Sequence, residues 1–180
     1  YMEKLINIIS KNGGDIFKFA GDALLVIWPD GSSIEDSCKR AVQCALDIQA
    51  KLHNVEISKA KKLSIKIGLG QGEVRILFVG GQFERAEYLI VGEAMRLACL
   101  SETRASEGGQ TICHDSVYQI LKGFFSCDEV PDDEDDHGYG TKGMKFYKIK
   151  ELVKGRIRVR ADAYLMRTKF NSSKVRAKLN

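Results

Sequence analysis

The sequence predicts an α+β fold: a mainly antiparallel sheet with helices on one side. Three observations predict it. Short strand-like runs come in pairs joined by tight turns. Helical stripes, with apolar residues three and four apart, separate those pairs. The resulting order, strand–turn–strand, helix, strand–strand, helix, packs most simply as one mixed or antiparallel sheet under a helical layer.

The elements follow in order. Met2, Leu5, Ile6 and Ile9 mark a helix over residues 1–11, and Asn12-Gly13-Gly14 stops it. Asp15–Phe19 is a strand, Ala20-Gly21-Asp22 a tight turn, and Ala23–Trp28 the returning strand. That second strand is apolar at every position, which predicts burial on both faces. Pro29-Asp30-Gly31 ends it. Ser32 and Glu35 form a capping box for a helix from Ser32 to about His53, whose stripe is Ile34, Cys38, Ala41, Val42, Ala45, Ile48 and Leu52. Leu63, Ile65, Ile67 and Leu69 alternate with Ser64, Lys66 and Gly68, the pattern of a half-buried strand. After Gly70-Gln71-Gly72 come strands Glu73–Val79 and Glu87–Val91, with a loop opening at Gly80-Gly81. A helix spans Glu93–Arg104, a strand Gln110–Cys113, a helix Asp115–Leu121, and Met144–Ile149 is the closing strand.

The chain has 180 residues, enough for one core. Hydrophobic residues are 44% and charged ones 29%, which excludes disordered, collagenous and coiled-coil classes. No apolar run reaches the roughly 20 residues of a spanning helix, and no signal peptide opens the chain. Tyr1 already lies inside a periodic run, so the chain reads as part of something longer. The net charge of +4 is unevenly placed: from Lys148 onward there are 11 bases and two acids, leaving 17 bases and 22 acids before it. A mildly acidic fold with a basic tail argues against a nucleic-acid domain. The organisation expected is a domain over 1–150 and a basic linker over 151–180. Asp128–Asp136 holds seven acids in nine residues and reads as a solvated loop rather than a calcium site. Five cysteines, odd in number and unpaired in spacing, fit reduced thiols in a cytoplasmic compartment. Four of them (Cys38, Cys44, Cys99 and Cys113) read as small buried apolar residues. His53 and His114 sit at helix ends, as caps or surface.

Chemistry concentrates at Phe19-Ala20-Gly21-Asp22-Ala23. A carboxylate at a hairpin tip beside glycine projects outward on a rigid support, and the glycine lets the backbone approach a ligand. Such a group suits Mg²⁺, a hard cation bound through few carboxylates and substrate phosphates. The plain alternative is a turn aspartate bonding its own backbone.

Residues 13–25, Gly-Gly-Asp-Ile-Phe-Lys-Phe-Ala-Gly-Asp-Ala-Leu-Leu, resemble the catalytic domain of class III nucleotide cyclases. The likeness is strongest to the first catalytic domain of the bicarbonate-regulated soluble adenylyl cyclases. Ile65–Gly72, Leu89–Ala94 and Lys142-Gly143-Met144 leading into Tyr147 agree in order. The resemblance implies a ferredoxin-like fold working as a head-to-tail pair, with ATP bound between the two domains. It implies two Mg²⁺ or Mn²⁺ ions on two aspartates, where they activate the ribose hydroxyl and stabilise departing pyrophosphate. Asp22 matches the second of those aspartates; the strand carrying the first is absent from this chain. Lys66 matches a lysine that reaches the substrate phosphates.

The departures from the family pattern are informative. The family's ribose-orienting Asn and, four residues on, its transition-state Arg are here Arg96 and Leu100. Its purine-selecting Asp is Ile90. The half therefore looks like the metal-donating one, in need of a complementary domain in the same chain or another subunit. Lys18 matches the purine-pocket lysine and, opposite Ile90, falls in the second, pseudo-symmetric pocket with Phe19, Ala20 and Gly21. In the soluble cyclases bicarbonate sits there between this lysine and an arginine. Cys99 stands in the arginine's place, with Arg96 one turn away. Lys18 alternates with Phe17 and Phe19, which points it to the face opposite theirs, towards the partner.

The function expected is conversion of ATP to cyclic AMP and pyrophosphate in cyclic-nucleotide signalling, in the cytoplasm, with any membrane or cilium attachment left to other domains. Alternatives are a catalytically silent regulatory domain binding an anion or nucleotide, a diguanylate-cyclase relative suggested by Gly13-Gly14-Asp15, and a basic nucleic-acid module.

Overall fold

The computed structural model describes residues 1–29, 33–58, 61–80, 86–131 and 140–153. These residues form two compact units that divide inside a helix, between Cys44 and Ala45. Ser32 of the expected capping box, residues 132–136 of the acidic run and the basic tail from Lys154 lie outside the described residues.

The first unit opens with α1, Met2–Lys11, which buries Leu5, Ile8 and Ile9. Gly13, at φ +73, turns the chain out of the helix. Strands β1 (Asp15–Ala20) and β2 (Ala23–Ile27) then form an antiparallel hairpin. The second helix, α2, runs Ile34–Leu52 across the division. Ser33 supplies its cap: the Ser33 hydroxyl accepts from the Asp36 N–H at 3.0 Å. The expected stripe is the buried one at Cys38, Val42, Ala45, Ile48 and Leu52, whereas Ile34 at the helix start is exposed.

The second unit is built on a four-stranded sheet. With β3 (Val55–Ser58), β4 (Lys61–Leu63), β5 (Ile67–Leu69), β6 (Arg75–Gly80), β7 (Ala86–Val91), β8 (Thr111–His114), β9 (Phe125–Val130) and β10 (Phe146–Leu152), the sheet order is β5-β8-β10-β9. Only the β5–β8 pairing is parallel among the described strands; β3–β4 and β6–β7 are antiparallel hairpins. Helix α3 (Glu93–Thr103) packs on β5 and β8, and α4 (Asp115–Ile120) on β8 and β10. The approach of α3 to β5 is close enough to demand glycine. A Cβ at Gly68 would stand 2.1 Å from the Ala98 carbonyl oxygen, and one at Gly70 2.5 Å from that of Ala94. Leu100, Ala105, Ile112 and Phe146 form a buried cluster, flanked by Val130 and Met144.

Four expectations are corrected. The strand β2 is half-buried, with Ala23 exposed, rather than buried on both faces. The run 63–69 is not one strand: β4 ends at Leu63 and β5 starts at Ile67. Between them the Ile65 carbonyl is taken by Gly109 N–H at 2.9 Å and by the Gln49 amide at 3.0 Å, so these residues find partners outside any ladder. The acidic run starts inside β9, where Lys150 pairs with Asp128 at 2.7 Å and Lys145 with Glu129 at 3.5 Å. Cys99 is exposed, while Cys38, Cys44 and Cys113 are buried.

Candidate functional site

The β1–β2 hairpin closes in two residues, Gly21 and Asp22, between the paired Ala20 and Ala23. Gly21 takes φ +63, the positive angle that tight two-residue hairpins ask of glycine. Nothing lies within 4 Å of the place a Gly21 side chain would occupy, and Asp22 beside it is exposed. The tip thus presents a carboxylate and bare backbone to solvent. Below it the register slips between Ile16 and Lys18, so the strict alternation expected around Lys18 is not kept. Such a bulge bends the strand and re-aims the residues after it. Lys18 and Phe19 are both exposed, Phe19 at 51%.

The base of this hairpin is tied down. Trp28 Nε1 donates to the Asn12 carbonyl at 3.0 Å, across the strand ends. Gly14 leaves room for Ile9, Val26 and Trp28, whose side chains crowd its Cβ position at 2.8–2.9 Å. Arg40, only 7% exposed, pairs with Asp36 at 2.9 Å and lies against Gly13. A buried guanidinium needs such a partner, because an unpaired one is costly.

The remaining candidates stand on other elements, in the second unit. Lys66 lies in the stretch before β5, exposed and without an ion pair among the described residues. Ile90 is half-buried on β7, directly across from Ile76. Arg96 is committed within α3: its Nη2 and Nε meet the two Glu93 carboxylate oxygens at 2.7 and 3.0 Å. That fork holds the Glu93 carboxyl below its ordinary value and raises the Arg96 guanidinium. Leu100 belongs to the core cluster and is spent on packing.

Two neighbouring aromatics and a histidine complete the picture. His114 caps α4, its Nδ1 accepting from the Ser116 N–H at 3.1 Å, and burial lowers its pKa. Tyr147 stacks on Tyr118 with ring centroids 4.0 Å apart. Burial first, then the Asp115 carboxylate, pushes the Tyr147 phenol up to about 12.

Sequence reading missed one feature of consequence, the exposed apolar skin of β6–β7. Ile76, Leu77, Phe78 and Val79 on one strand and Tyr88, Leu89 and Val91 on the other are 42–58% exposed. A signal was present: these runs lack the polar alternation of a strand with one wet face. No group of three or more His, Cys, Asp or Glu that would hold a metal exists among the described residues. The exposed carboxylate oxygens of Asp22 are hard donors of the kind a divalent cation takes. No helix among the described residues is long and apolar enough to cross a membrane.

Comparison with known proteins bears on the whole arrangement. A family model described as the adenylate and guanylate cyclase catalytic domain matches residues 2–151. Adenylate cyclase type 10 of Rattus norvegicus is 26% identical over 134 residues, which is 73% of this chain. The protein of the same name from Homo sapiens is 28% identical over 122 residues, or 67% of the chain. The chain spans about 8% of the length of these relatives. Among solved structures, the guanylate cyclase domain of RhGC from Catenaria anguillulae, in complex with GTP, has a TM-score of 0.69 at 27% identity. The match covers 84% of this chain and 80% of that one. The adenylyl cyclase CyaB from P. aeruginosa has a TM-score of 0.67 at 21% identity, over 89% and 82% of the two chains; its likeness speaks for the fold.

Proposed function

The chain belongs to the family of adenylate and guanylate cyclase catalytic domains, and from that premise we propose that it is the metal-donating half of an adenylyl cyclase converting ATP to cyclic AMP and pyrophosphate. The observation that carries this reading is the exposed Asp22 at a two-residue hairpin tip, beside a glycine at φ +63 with open space around it. ATP rather than GTP is favoured by the curated relatives, which are adenylate cyclases by name.

Asp22 would hold Mg²⁺ or Mn²⁺ together with a second carboxylate from outside the described residues. Bound there, the metal supplies Lewis-acid stabilisation of phosphate charge, worth several kcal/mol. Lys66, exposed and without an ion pair among the described residues, would bind and orient the triphosphate. The groups that orient ribose and stabilise the transition state come from a second cyclase domain, because Arg96 is held by Glu93 and Leu100 is in the core. The apolar β6–β7 face supports that pairing, since an apolar patch of this extent on a single chain marks a contact surface. Lys18 would serve a regulatory anion such as bicarbonate in the second pocket.

The test is ATP turnover by the assembled enzyme carrying Asp22→Asn. Loss of cyclic AMP formation with an unchanged fold supports the reading; near-wild-type turnover overturns it. A second reading, a silent regulatory domain, draws on that same engagement of Arg96 and Leu100. It is separated by the same variant, which would then leave activity in place and alter only its control.

A further inference from the structure

The second unit carries a groove of about 400 Å³ lined by none of the candidate site residues. Small-molecule pockets occupy roughly 300 to 1,000 Å³. Its walls come from the end of α2 (His53, Asn54), from Ser64 ahead of β5, from the loop ahead of β8 (Gly108, Gly109) and from Lys148 on β10.

The walls are over-determined for a loop region. Asn54 is the one non-glycine with positive φ among the described residues, at +53. Asparagine tolerates that left-handed conformation better than other side chains, and here its side-chain bonds fix it. Its N–H donates to Ser64 Oγ at 3.1 Å, its Oδ1 accepts from Ser64 Oγ at 3.2 Å, and its Nδ2 meets His53 Nε2 at 2.8 Å. Because Nδ2 can only donate, His53 Nε2 accepts, and the neutral ring carries its proton on Nδ1. The two glycines are drawn in tightly. A Cβ at Gly108 would stand 2.6 Å from Ser64 Cβ, and one at Gly109 2.3 Å from the His53 ring, where φ is already +93.

The groove sets one half-buried lysine, Lys148, against one exposed acid, Glu107. Lys148 is half-buried, and its ammonium makes no ion pair or hydrogen bond with any described residue. On the same strand Lys150 pairs with Asp128, the residue in register with Lys148, so that carboxylate is occupied. The Gly108 N–H donates to no described residue either. One acid, Glu107, lines the groove. It is exposed, and its carboxylate accepts from the Gln110 amide at 3.3 Å. An exposed charge is damped by water and salt, whereas a half-buried ammonium is screened much less.

We propose that this groove binds a small oxyanion of the phosphate class, held by the Lys148 ammonium, the Gly108 N–H and the His53 ring N–H. A cation, an unused backbone donor and a ring donor on a preformed wall match the acceptor oxygens of such a group. The site is independent of the cyclase reading, since it shares no residue with the hairpin, Lys66, Ile90 or Arg96.

Inorganic phosphate titrated into the full chain at fixed ionic strength tests this, with backbone amide shifts as the readout. Saturable shifts centred on Gly108, Gly109 and Asn54 are expected, and Lys148→Gln should raise the dissociation constant about tenfold or more with an unchanged circular dichroism spectrum. Glycerol phosphate in a parallel arm separates the sources: tighter binding than phosphate identifies a phosphomonoester, weaker binding the free ion, and either supports the site. Absence of saturable shifts, or equal binding by Lys148→Gln, overturns it. Should that variant fold poorly, His53→Gln decides: weakened binding supports the site and wild-type binding overturns it.

Discussion

Two hairpins of this molecule, β1–β2 and β6–β7, are exposed for opposite reasons. The first shows solvent a carboxylate, Asp22, and a lysine, Lys18, on strands whose apolar side chains are largely half-buried. The second shows solvent almost nothing but hydrocarbon, from Ile76 to Val79 and from Tyr88 to Val91. A charge at a tip costs nothing to leave in water, so its exposure needs no partner and leaves it available for chemistry. An apolar strand pair in water forgoes about 25 cal/mol for each Å² it leaves uncovered, which favours a second protein surface there. Exposure of one kind points to a site, and of the other to an interface.

The sharpest break in this contrast is Asp22→Asn in the assembled enzyme. On the proposed reading this removes a metal ligand and should lower turnover on the order of a hundredfold or more, while the melting temperature of the isolated chain stays put, because Asp22 is exposed at the hairpin tip. Phe78→Asp comes next. With Phe78 58% exposed and edge-on to Tyr88, the substitution should leave the monomer folded but weaken pairing with a cyclase domain by about 2 kcal/mol or more; sedimentation of the mixed domains reads this. Equal pairing by the variant would move the interface elsewhere.

Smaller effects set the hairpins against the sheet. Gly68→Ala drives a methyl into the α3 backbone and should cost about 3 kcal/mol in denaturant unfolding. The same substitution at Gly21 meets no atom and carries only the strain of positive φ, about 1 kcal/mol. Tyr147 supplies a milder handle on the sheet. Its phenol titrates near 12 in the folded chain against 10 when free. The unfolded chain therefore loses its proton first as pH rises, and stability present below pH 10 is lost progressively towards pH 12. Tyr147→Phe should flatten that alkaline limb, as followed by unfolding at several pH values.

Much of this was legible without coordinates, and the reasons are local. The helix stripe from Cys38 to Leu52 and the Gly21-Asp22 tip depend on contacts or angles a few residues apart, which spacing reports directly. The boundary between β4 and β5 was not legible. Leu63 to Leu69 alternates well, yet Gly109 and Gln49, distant in sequence, claim the Ile65 carbonyl and break the strand. Likewise, six apolar residues from Ala23 to Trp28 announce hydrophobicity, but only packing decides how much of each stays wet.

The sequence by itself determined the α+β class, the cyclase kinship and the place of Asp22, because periodicity, turn chemistry and a dense motif are properties of neighbouring residues. Only the tertiary structure decided that Leu100 is core and that β6–β7 carries an exposed apolar face. It also brought Lys148, Gly108 and His53 to one groove. Those outcomes depend on which distant groups compete for the same partner or the same shelter from water, and no spacing along the chain records that competition.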